Sequence, residues 1–410
     1  DATIYLPLLE ETGYMPTEKY ASASEIFAYC QTLGRHFGLY EHALFQTEVA
    51  SLTWDDGAHR WDVVTKRGDH IRTQFFIAAG GLMHKAKLPG IDGIERFEGK
   101  AFHTSRWDYG YTGGSPTEPM DHLRDKVVGI IGTGATSVQV VLQLARTAKE
   151  VYVFQRTPSA VGVRGQQPID PDWYASLPAG WQAERTRNFT DIVTGNPQEQ
   201  DLVHDGWTEA LAVDTQRIPA TEEERAELEA IDFDVMEGFR RRVAEVVMDP
   251  ATAEKLKPWY GKHCKRLCFH DEYLQAFNLP NVPLVDTDGR GVREMSPAGP
   301  IVDGREYPLD LLVFASGFEV TSGLVDRLGF DPVGRGGVRL SERWHDGTHS
   351  LHGVLTAEFP NLFVVSFIQA GFGLNFVHFL SGSTDHIVSV IETCRRDGIA
   401  SIEATVEGED

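Results

Sequence analysis

Residues Lys126–Ser137 read KVVGIIGTGATS, and this stretch decides the fold class. Lys126–Ile131 is an apolar run of the kind that forms a strand buried on both faces of a parallel sheet. It runs straight into Gly132-Thr133-Gly134-Ala135-Thr136-Ser137. Gly132 permits a tight turn, and Gly134 lets the backbone approach a pyrophosphate. A helix starting behind them points its free N–H groups at the negative charge. Ser137 stands where a third glycine is usual, and is still small enough for close helix–strand packing. Val138, Val141, Leu142 and Ala145 give that helix one apolar face. A lone GxGxxG is weak, but here the strand before it and the helix after it are both present.

The second strand, Glu150–Phe154, ends in Gln155-Arg156-Thr157-Pro158. An NAD site calls for an acid here to hold the ribose 2′-hydroxyl. Arg156 instead offers a fork to a 2′-phosphate, which an acid would repel. NADPH is therefore expected over NADH, and Thr157 stands beside Arg156. The competing explanation is an exposed Arg at a strand end.

Working outward, 410 residues suffice for two or three domains. A formal charge of −22 argues against nucleic acid or an anionic membrane as partner. Four cysteines make no disulfide framework, and no apolar run is long enough to span a bilayer. With no secretory leader visible, the expected location is the cytoplasm. Before the nucleotide unit, Ser22–Gly38 has a helix pattern with a capping box at Ser22 and Glu25. Phe45–Trp54, Arg60–Thr65 and Thr73–Ala78 then predict a β-meander ending in Ala78-Ala79-Gly80-Gly81. After it, residues 170–260 are helical and charged, with a capping box at Thr221 and Glu224. Strands are expected at Val282–Val285, Leu311–Ala315 and Asn361–Ser366, and a final helix from Thr384 to Cys394.

His263-Cys-Lys-Arg-Leu-Cys-Phe-His270 invites a zinc assignment, but structural zinc needs a second such cluster, so no metal is expected. Lys265 and Arg266 carry more meaning: adjacent cations in a largely apolar stretch need an anion nearby. A cofactor phosphate or a reactive oxyanion would serve. No GxSxG elbow, HExxH or CxxC supports a hydrolase, a metalloprotease or a dithiol reductase.

Phe97, Gly99, His103, Trp107 and Asp108 stand shortly before the nucleotide strand. They match the FxGxxxHxxxW(P/D) fingerprint, and the chain resembles the Baeyer–Villiger monooxygenases. Ile4–Ala21, FQRTP (Phe154–Pro158), Cys264–Val282 and DLLVFASGF (Asp310–Phe318) resemble family segments too, so the likeness covers nearly the whole chain. It implies an α/β flavoprotein with two dinucleotide-binding (Rossmann-like) domains and a helical insertion, using FAD and NADP. The reaction implied is insertion of one oxygen of O2 beside a ketone, giving an ester or lactone. By resemblance, Arg266 stabilises the peroxyflavin and the tetrahedral intermediate. Lys265, Arg156 and Thr157 hold the 2′-phosphate. His103, Trp107 and Asp108 belong to the linker that couples the two half-reactions.

The implied organisation is a partial FAD-binding domain at 1–81, an NADPH-binding domain at 82–317 with the helical insertion at about 170–260, and a return to the FAD domain at 318–410. The family's own N-terminal FAD-binding GxGxxG unit, and an Asp shortly before the position of Ile4, are not in this sequence. The expectation is a retained part of a longer enzyme; a second chain carrying the missing piece, or a short homologue without FAD, are the alternatives. Oxygenation of nitrogen or sulfur, or NADP binding without oxygenase chemistry, are the competing functions. The substrate is expected to be an apolar ketone, with Phe367–Phe379 as candidate lining.

Overall fold

The computed structural model describes residues 1–215, 217–320, 322–366 and 374–409. They form two compact units. The first comprises Asp1, Pro16–Ser24 and Ala86–Gly317; the second comprises Ala2–Met15, Glu25–Lys85 and Phe318–Asp410.

The first unit is built on a five-stranded, all-parallel sheet. Its spatial order is Leu284–Asp286, Glu150–Gln155, Val127–Ile131, Leu311–Phe314 and Lys100–His103. The apolar run at 127–131 takes the centre because both faces of a central parallel strand are covered. Val128 and Ile130 are fully buried, as are Val151, Val153 and Leu311–Val313 on the neighbouring strands. The helix Ala135–Ala145 lays Val138, Val141, Leu142, Leu144 and Ala145 onto this core. Each such valine or leucine side chain contributes about 1.5–3 kcal/mol by leaving water.

The helical insertion holds Trp181–Val193, Gly206–Leu211, Glu222–Val246 and Pro250–Leu256. The Glu222 helix starts where the sequence indicates: the Thr221 hydroxyl accepts the Glu224 amide at 3.1 Å. Its stripe Met236, Phe239 and Val243 is buried, and so is Val247 just beyond its end. A short parallel pair, Val161–Gly162 with Cys268–Phe269, joins the insertion to the segment carrying Lys265 and Arg266.

The second unit contains an antiparallel sheet of Val49–Asp55, Arg60–Thr65 and His70–Thr73. Here the structure departs from the expected meander. The run Thr73–Ala78 is split. Thr73 ends the third antiparallel strand, and Phe76–Ala78 pairs in parallel with Leu362–Val364. Alternating β-type residues continue across Gln74, so the change of partner leaves no local mark. The last helix is also longer than expected, Phe376–Asp397, with Asn375 capping the His378 amide. Ser381, Gly382 and Ser383 disguise its first half as a loop. Among the described residues, no helix is long and apolar enough to cross a membrane.

Candidate active site

The turn after the central strand has a geometry only glycine accommodates. Gly132 has φ +115°, and a Cβ there would lie 2.5 Å from the Ala315 carbonyl oxygen. A Cβ on Gly134 would meet nothing within 4 Å, so that side of the turn faces open space. Gly134 begins the Ala135–Ala145 helix without any side-chain cap, and the first turn holds no acid. By contrast, the helices at Pro171, Gly206, Glu222 and Pro250 are each capped by an Asp or Thr oxygen. The open N-terminus leaves its amide hydrogens for an anion. Ser137 is fully buried in the helix–sheet interface, as a small third residue should be.

Lys265 closes this turn from the side. Its ammonium donates to the carbonyl oxygens of Thr157 (2.8 Å) and Pro158 (3.2 Å) and to the Thr133 hydroxyl (3.3 Å). Thr133 in turn donates to Thr157 O at 2.6 Å, and Ser159 donates to the Thr133 carbonyl. Burial pushes the Lys265 ammonium down to about 8; Cys268 opposes this shift, and the Arg156 charge adds a smaller lowering influence. Tyr260 completes the collar: its hydroxyl donates to Pro158 O (2.8 Å) and accepts from the Ala160 amide (3.1 Å). Arg156 is exposed at the strand end, its methylenes within 3.6–3.9 Å of where a Cβ on Gly291 would stand. The turn residues, Arg156, Thr157 and Lys265 thus come together at the carboxyl end of the sheet, where α/β folds bind ligands.

Arg266 points elsewhere. It is exposed, and its guanidinium carbon stands 4.9 Å from the ring centroid of Trp207. His103 ends the edge strand level with Phe314, which is level with Ile131. That puts His103 two strands, roughly 10 Å, from the glycine turn. It is buried, and its Nδ1 lies 2.8 Å from the Ser105 hydroxyl. Trp107 and Asp108 contact their own segment. The Trp107 indole donates to Thr112 at 3.2 Å, and its ring packs on Phe102. Asp108 caps Tyr109–Thr112 and pairs with Lys100 at 2.5 Å; Lys100 and the Tyr111 amide hold its carboxyl below the ordinary range.

Trp207, Ser159, Tyr260 and Gly291 are neighbours of these groups that the sequence did not single out. Only Ser159 carried a signal, lying just past the strand that ends at Gln155. A cleft of about 860 Å³ includes Arg164, Asp201, Glu209, Arg242 and Phe269 in its lining; these charges suit an apolar ketone poorly. Of the expected apolar lining at 367–379, residues 367–373 lie outside the described residues. Phe376 and Phe379 open the last helix with stacked rings.

Residues 13–170 match the family model for flavin-binding monooxygenase-like proteins. The chain is 49% identical over its full length to a pentalenolactone D synthase of Streptomyces arenae, covering 71% of that protein. It is 48% identical, again over its full length, to a Baeyer-Villiger monooxygenase of Stachybotrys chlorohalonatus, covering 67% of it. Among solved structures it superposes with TM-score 0.93 on the polycyclic ketone monooxygenase of Thermothelomyces thermophila, at 41% identity, over all of this chain and 70% of that one. It superposes with TM-score 0.79, at 25% identity, on a structure titled OTEMO in complex with FAD and NADP, over all of this chain and 76% of that one. With these relatives matched along its whole length, the chain belongs to the Baeyer–Villiger monooxygenases.

Proposed function

We propose that this chain carries the NADPH site and the oxyanion-stabilising Arg of a flavin-dependent monooxygenase that converts a ketone, NADPH, a proton and O2 into an ester or lactone, NADP and water. The observation that carries it is the pair Lys265-Arg266. One cation is committed to the glycine turn and the next is free of any carboxylate partner among the described residues.

NADP fits the residues present. The uncapped helix N-terminus would take the pyrophosphate, and the open side of Gly134 admits its backbone approach. Arg156 and Lys265 would hold the 2′-phosphate, and Thr157 stands beside them. For FAD, the second unit offers a parallel strand pair whose carboxyl ends run into small residues, Ala78–Gly81 and Ser366. That is the end of a sheet at which nucleotides bind. When bound, FAD relays the two electrons of NADPH to O2 and so supplies the inserted oxygen. Arg266 would stabilise negative charge as it develops on the ketone oxygen, an electrostatic contribution that grows where water is excluded. His103, Trp107 and Asp108 would tie the edge strand to the loop that follows it.

The relatives named for polycyclic ketones and for pentalenolactone D make a polycyclic ketone the first substrate to try. The test is to purify the protein, record its visible spectrum after adding FAD, and follow ¹⁸O from ¹⁸O2 into product with NADPH. A flavin band and one labelled oxygen in the ester are expected. Absence of FAD binding, or label appearing only on an amine or sulfide substrate, would refute the proposal.

A further inference from the structure

An arginine that stabilises a transient oxyanion has two requirements that conflict. Its guanidinium must be held still, because a mobile donor loses much of its electrostatic value. It must also keep its charge unspent. A carboxylate partner would satisfy the first requirement and defeat the second. An aromatic face satisfies both, because it attracts the cation through its quadrupole without neutralising it.

We propose that Trp207 is the positioning residue for Arg266, its indole face holding the guanidinium in the pose that meets the substrate oxygen. The proposal rests on the oxygenase function assigned above. The guanidinium carbon lies 4.9 Å from the Trp207 ring centroid. Trp207 is itself fixed on two sides. Its backbone amide donates to Asp205 at 2.9 Å. Asp205 is buried and also accepts from the Thr208 amide (3.1 Å) and the Tyr20 hydroxyl (2.8 Å). The Trp207 ring meets the Phe269 ring at 4.7 Å between centroids. Phe269 sits where two glycines leave room: a Cβ on Gly162 or Gly206 would come within 2.7 or 2.4 Å of its ring. Phe269 is bound into the strand pair with Val161–Gly162, three residues after Arg266. Both partners of the stack therefore stand on anchored backbone, and a single indole touches Arg266 and Phe269.

The experiment compares Trp207→Leu with Trp207→Phe in the holoenzyme, and follows Arg266 itself by NMR of ¹⁵N-arginine-labelled protein. The Arg266 Nε–H resonance is identified by its loss in Arg266→Lys. In the wild type it should be displaced by the indole ring current. Trp207→Leu should return it to the position of a free arginine and lower the turnover number for ester about three- to tenfold, the range for a half-exposed cation–π contact. Hydrogen peroxide should rise to replace the lost ester while the KM for NADPH stays within about twofold. Trp207→Phe should fall between the two. If Trp207→Leu does not fold, that intermediate value decides alone. A wild-type resonance in the variants, or an unchanged ester-to-peroxide ratio, would overturn the proposal. Full ester formation by Arg266→Ala would overturn the oxygenase assignment of this site instead, and the two failures separate because the resonance needs no turnover.

Discussion

Lys265 turns into the glycine turn, where its ammonium bridges two backbone carbonyls and a buried hydroxyl, while Arg266, the next residue, stays exposed on the face of Trp207. One cation is spent on protein groups, and the other is held but not neutralised. The difference teaches that two adjacent cations can be given opposite surroundings, as the proposed division between cofactor and reaction requires. Both are cations by type, and only their surroundings distinguish them.

The sharpest way to break the comparison is to remove each charge separately. Arg266→Ala should lower the rate of ester formation about 10²–10³-fold, as loss of an oxyanion donor does. Its dissociation constant for NADPH, measured by fluorescence titration, should stay within about threefold. Lys265→Met should do the reverse: NADPH affinity falls on the order of tenfold or more, and ester formation at saturating NADPH falls much less. Equal losses in both quantities for both variants would show that the segment acts as one structural element.

A pH titration separates the two cations without mutation. The Lys265 ammonium is pushed down to about 8, so it is charged below that pH and neutral above it. The 2′-phosphate attracts only the charged form. NADPH affinity should therefore be level below about pH 8 and fall as pH rises through it, at most about tenfold per unit for one proton. Phosphate binding favours the protonated lysine, so the fall begins near pH 8 and levels off only above the higher pKa of the complex. NADH lacks the 2′-phosphate and should show no such slope, and Lys265→Met should flatten the NADPH curve. A slope that persists in Lys265→Met would assign the proton to another group.

How much of this was legible in the sequence follows from how local each signal is. The glycine turn, its strand and its helix lie within twenty-odd consecutive residues, and each part has its own pattern: an apolar run, two glycines, and a helical stripe. Arg156 was legible by its position at a strand end. Lys265 and Arg266 were legible as cations in an apolar stretch, but not their different surroundings. Those depend on Thr157 and Pro158 for one and on Trp207 for the other, all distant in the chain. Nothing local marks Trp207, whose placement comes from the Asp205 cap and from the room Gly162 and Gly206 give Phe269. The split of Thr73–Ala78 between an antiparallel and a parallel partner was hidden for the same reason, since strand propensity says nothing of which strand lies alongside.

The smallest expected effect concerns Arg156, the other candidate for the 2′-phosphate. It is exposed, and its stem lies along Gly291 rather than in a buried collar. An exposed ion pair in water contributes about 1 kcal/mol or less, and salt screens it over roughly 8 Å at physiological ionic strength. Arg156→Ala should therefore reduce the NADPH-to-NADH preference only about fivefold at low salt, and by still less in 0.5 M salt (on the order of a 4 Å screening length). The effect of Lys265→Met should persist there better, because its half-buried ammonium within the collar of Thr133, Thr157 and Pro158 is less open to salt than the exposed Arg156. Measuring both dissociation constants at two salt concentrations decides it. If Arg156→Ala proves the larger and more salt-resistant of the two, the phosphate lies on the Gly291 side and Lys265 serves mainly to close the turn.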